Sequence, residues 1–86
     1  MNAMNIKLWE FPAADFADWC ALVGSPEVTS HADYMTLLAA VQADNERQGH
    51  EVLRVKMTVA EMRAALAANG LENTPDNRAA IVASAQ

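Results

Sequence analysis

Few side chains in this chain could do chemistry, and they are widely spaced. Cys20 is the single cysteine. A thiolate nucleophile needs a base or a positive neighbour. The nearest charges along the chain are Asp15 and Asp18, which disfavour ionisation. His31 and His50 are distant in sequence, and Cys20, His31 and His50 lack the close ligand pairs of structural zinc sites. Asp15 with Asp18, or Asp44 with Glu46, could flank a divalent cation. There is, however, no glycine-containing acidic loop of the EF-hand kind. Asp76, between Asn73 and Asn77, could hold an anion or a metal, but helix capping accounts for all three. No Gly-rich phosphate loop is present, and no nucleophile, base and oxyanion donor fall together. The sequence therefore reads as non-enzymatic, with no cofactor and no metal.

What remains is the capacity to bind. Trp9, Trp19 and Tyr34 are the large anchors, of a type common at the centres of interfaces, although core burial is the default for each. The formal charge of −5 is unevenly spread. Residues 1–49 carry Lys7 and Arg47 against seven carboxylates, whereas residues 50–86 are balanced. That asymmetry concerns partners more than fold. Residues Trp9, Glu10, Asp15 and Asp18 are the candidates for contact with a protein partner, one with basic character. Self-association is the other expectation, because the core is thin. Alanine supplies 18 of the 45 hydrophobic residues, and alanine adds little buried area to an 86-residue chain.

The elements that must position these residues follow from pattern and punctuation. Met4, Ile6 and Leu8 alternate with Asn5 and Lys7, a strand signal over 4–11 that Pro12 ends. A helix over about 12–23 places Phe16, Trp19, Cys20 and Val23 on one face, and Gly24 stops it. Thr29 or Ser30 caps a second helix over about 31–48, with Tyr34, Leu37, Leu38 and Val41 read as its apolar face and Gly49 as its end. Leu53, Val55 and Met57 alternate with Arg54 and Lys56, the clearest strand in the chain, over 51–57. Thr58-Val59-Ala60-Glu61 is a capping box that opens a helix over 59–69. Thr74-Pro75-Asp76 opens another over about 75–85, with Ile81, Val82 and Ala85 facing inward.

The fold class expected is α+β, mostly helical, with two short strands and four helices in βααβαα order. It forms one small domain over residues 1–86. At an offset of 46 positions, Ile6 meets Val52, Trp9 meets Val55, Phe11 meets Met57 and Gly24 meets Gly70. The chain reads as two βαα half-repeats, 4–49 and 51–86, packed about a pseudo-twofold axis with their strands paired.

The strand at 51–57, with Arg54 and Lys56 on one face and two helices after it, resembles half of a ribbon-helix-helix repressor over residues 51–85. That resemblance implies a strand lying in the DNA major groove, with Arg54 and Lys56 as DNA-contacting residues. Departures stand beside it. Pro75 removes an amide from the phosphate-binding turn, the loop from Gly70 to Thr74 is long, and a chain at −5 repels phosphate. Residues 49–80 are also similar to small accessory proteins of phages and plasmids, through Thr-Val-Ala-Glu-Met and Asn-Thr-Pro-Asp-Asn-Arg. The expectation is a small acidic interaction or regulatory protein, phage- or mobile-element-encoded, that binds another protein. A DNA-binding regulator is the alternative. No run of apolar residues is long enough to span a membrane. The lone cysteine and the absence of a secretory signal point to the cytoplasm.

Overall fold

Both strand segments pair with each other, and their register is the offset that aligned the half-repeats. In the computed structural model, which describes residues 4–24 and 26–85, β1 (Asn5–Glu10) runs parallel to β2 (Glu51–Lys56), with Ile6 beside Val52 and Trp9 beside Val55. Parallel pairing with equivalents side by side relates the strands by a sideways shift. The twofold relation between the halves is therefore not carried by their strands. A parallel pair needs a crossover. Here it contains a 3-10 turn (Ala13–Asp15), α1 (Phe16–Val23) and α2 (His31–Arg47). After β2 come α3 (Val59–Ala68) and α4 (Pro75–Ser84). The order is βααβαα and the class is α+β, mostly helical. No helix among the described residues is long and apolar enough to cross a membrane.

Local chemistry explains the boundaries. Pro12 is extended, and the Asp15 amide bonds its carbonyl at 2.9 Å, so a tight turn precedes α1 where a longer helix was expected. Ser30 caps α2 through the Asp33 amide. The capping box of α3 is complete in both directions. Gly49 ends the α2 segment at φ 87°, a conformation that favours glycine.

The sheet has helices on both faces. On one face Trp9 and Val55 join Phe11, Trp19, Leu22, Val59, Met62, Leu66, Ile81 and Val82 in a single core cluster. On the other, Ile6, Leu8, Val52 and Arg54 are only half-buried beneath α2. Leu38 is buried there but stands apart from the main cluster. The halves interlock rather than sit side by side. Asn73 donates to the Leu22 carbonyl at 2.6 Å, and Asp15 accepts from the Val59 amide at 2.9 Å.

The face that α2 turns to the sheet differs from the expected one. His31, Tyr34, Met35, Leu38, Gln42 and Asn45 are buried or half-buried, whereas Leu37 is 51% and Val41 36% exposed. Polar residues take the inward positions because each finds a partner. The His31 Nε2–H donates to the Phe11 carbonyl at 2.8 Å, Gln42 accepts from Arg54 at 2.8 Å, and Asn45 donates to the Val41 carbonyl at 2.8 Å.

Candidate interaction surface

Trp9 is a core residue. Its indole donates to the Met57 carbonyl at 2.8 Å, and its own carbonyl accepts from the Tyr34 hydroxyl. Its ring meets Phe11 edge-on at 5.6 Å, and Phe11, 1% exposed, stacks on Trp19 at 5.0 Å. Burial pushes the Tyr34 phenol up to about 12; the negative charge of Glu10 adds to this and Arg54 opposes it.

Glu10 pairs with Arg54 at 3.2 Å, both partly buried. Asp15 caps α3 from a distance along the chain, through the Val59 amide. Asp18 stands exposed in the first turn of α1. Among the described residues, Asp18 is the one of the four partner-contact candidates whose side chain makes no hydrogen bond or ion pair. The two DNA-contact candidates separate as well: Arg54 is held by Glu10 and Gln42, while Lys56 is exposed.

Cys20 is half-buried against the core, and His50 Nδ1 accepts the Met4 amide at 3.1 Å. No cluster of three or more metal-ligating side chains occurs among the described residues. A shallow groove of ≈ 320 Å³ lies at the carboxyl ends of the strands, lined by Glu10, Phe11, Lys56, Thr58 and Glu61 among others. In parallel sheets that end commonly binds anions beside a helix N-terminus. Here the chain's own oxygens fill the place. Asp15 takes the Val59 amide, the Thr58 hydroxyl takes the Glu61 amide, and the Glu61 carboxylate takes the Thr58 amide. That last bond holds the Glu61 carboxyl below its usual value.

The surface feature that residue types alone did not reveal is the outer edge of β1. The Glu51 amide bonds the Met4 carbonyl, and the Met57 amide bonds the Glu10 carbonyl. With the parallel register, this turns the even-numbered residues of β1 toward β2 and the backbone groups of Asn5, Lys7 and Trp9 outward. Tyr34 occupies the Trp9 carbonyl, while those of Asn5 and Lys7 have no hydrogen-bond partner among the described residues.

Leu37 and Val41 follow Tyr34 at i+3 and i+7, so they lie on the side of α2 nearest this edge. Met4, just ahead of the strand, is 56% exposed. The β2 edge is different. On the α2 face it is flanked by Gln42 and Arg54, which bond each other, with Lys56 exposed beside them. This is polar cover of the kind that protects edge strands, although Leu53 on its opposite face is 52% exposed. The clue in the sequence was the pair Leu37 and Val41 itself, which periodicity assigned inward.

Compared with protein families, with curated proteins and with solved structures, the chain has no match. The geometry of its surface is what bears on function.

Proposed function

We propose that this protein is a non-catalytic binding module that takes up a polypeptide segment along the open edge of β1. The observation that carries the reading is the conjunction at that edge. Backbone groups of Asn5 and Lys7 that have no partner among the described residues lie beside exposed Met4, Leu37 and Val41. Strand addition supplies both needs, since main-chain hydrogen bonds give affinity and alternate side chains give specificity. The acid-rich surface of residues 1–49, with Asp18, Glu27, Asp33 and Asp44 exposed, favours a polypeptide over nucleic acid. A regulatory role, in a phage or mobile element, is the setting that suits a small acidic binder.

The test is site-specific photo-crosslinking in the producing cells. A photoreactive residue at position 37, beside β1, is expected to give covalent protein adducts. The same residue at position 46, on the β2 side of α2, is expected to give few. Absence of adducts at position 37 overturns the reading.

A further inference from the structure

We infer that the segment bound at the β1 edge is β1 of a second copy of this chain, paired antiparallel about a twofold axis at Ile6. This rests on the edge-binding reading and names its partner.

The register follows from which groups are free. Outward residues of one strand must bond outward residues of the other. Centring the axis on Lys7 sets Lys7 against its own copy and calls on Trp9, whose carbonyl Tyr34 already holds. Centring it on Leu8 calls on Trp9 again and sets Glu10 against Ile6. Centring it on Ile6 pairs Asn5 with the partner's Lys7 and Lys7 with the partner's Asn5, so every unpaired outward group of the two residues is used. On the face under α2, Ile6 then meets Ile6 of the partner subunit, and Met4 meets the partner's Leu8. All three residues are apolar.

The position of α2 agrees with this register. From Tyr34 to Val41 a helix advances about 10 Å, the length of about three strand residues. Tyr34 stands at Trp9, and α2 runs against β1, so Val41 stands level with Ile6, at the axis. α2 packs on both β1 and β2. In a β2–β1–β1–β2 sheet, with strands about 4.8 Å apart, the two α2 helices lie about 10 Å apart, within ordinary helix-packing distance. Leu37 and Val41 of each copy then face each other over the half-buried Ile6 and Leu8. On the other face an open groove lined by Lys7, Trp9, Arg78, Ala79 and Val82 lies between β1 and α4.

Sedimentation equilibrium of the purified full chain is expected to give about twice 9.3 kDa at micromolar concentration. The exposed double variant Leu37→Glu/Val41→Glu, with unchanged circular dichroism, is expected to give a monomer. Register is read by disulfide trapping in a Cys20→Ala background. Ile6→Cys is expected to cross-link two chains on addition of an oxidant, because facing residues at a non-hydrogen-bonded pair come within disulfide reach. Leu8→Cys, roughly 13 Å from its own copy in this register, is expected not to. A wild-type monomer at every concentration, or cross-linking of Leu8→Cys without Ile6→Cys, overturns the inference. Heterologous adducts at position 37 from a monomeric chain overturn the dimer but leave the edge-binding reading standing. No adducts and no dimer remove both.

Discussion

Asp15 shows how a residue picked out for binding is drawn into the fold. Its carboxylate faces the Val59 amide, an orphan donor at the start of α3. Asp15→Ala is expected to destabilise the chain by about 1 kcal/mol, the usual cost of losing such a cap, read as a lowered urea midpoint with an unchanged slope. Tyr34 makes a different statement. Its folded pKa of about 12 lies above the ordinary 10.0, so the folded state favours the neutral phenol. That contribution is complete below the unfolded pKa and is lost as pH rises through the folded one. Wild-type stability is therefore expected to fall between about pH 10 and 12, and Tyr34→Phe to show a flatter profile there. At neutral pH the variant is expected to be about 1 kcal/mol weaker, having lost the bond to the Trp9 carbonyl. Denaturation midpoints of both proteins across that range check the slope.

At the scale of elements, punctuation was legible and orientation was not. Pro12, Ser30, Gly49, the Thr58–Glu61 box and Thr74-Pro75 each act within a few residues, so they set boundaries without knowledge of the fold. The offset of 46 that aligned the halves is also the strand register. The parallel sense was not legible, because the two alternations are out of phase (Leu8 stands beside Arg54 and Lys7 beside Leu53) and carry no information on direction. The face of α2 depends on partners 12 and 20 residues away, Arg54 for Gln42 and Phe11 for His31. Apolar periodicity ranks Leu37 and Val41 above Gln42 and Asn45 and so rotates the helix. The proposed binding surface was hidden in part for the same reason, since Leu37 and Val41, which border the β1 edge, are the residues that periodicity turned inward. Adjacent substitutions separate the two orientations. Leu38→Ala is expected to cost about 2–4 kcal/mol through cavity formation. Leu37→Ala, measured at dilutions where the chain is monomeric, is expected to stay within about 0.5 kcal/mol of wild type.

At the scale of the whole molecule, the thin alanine-rich core has a measurable shape. The radius of gyration is 13.2 Å, where about 12 Å is usual for a chain of this length. The accessible surface is 5558 Å², where about 5000 Å² is usual for this mass. The excess fits a parallel pair whose α2 face is half-buried, since parallel sheets ordinarily have both faces covered. A second copy on the β1 edge covers part of that face and removes one open edge, so folding and association become linked. Mass action then makes stability depend on concentration. A hundredfold rise in chain concentration stabilises a dimer by up to about 2.7 kcal/mol, or about 1.4 kcal/mol per chain. For a domain of this size that corresponds to a rise in Tm of roughly 5 °C or more. Calorimetry over that range is expected to show the rise for the wild type and a constant Tm for Leu37→Glu/Val41→Glu. Equal dependence in both proteins would place the association elsewhere than on the β1 edge.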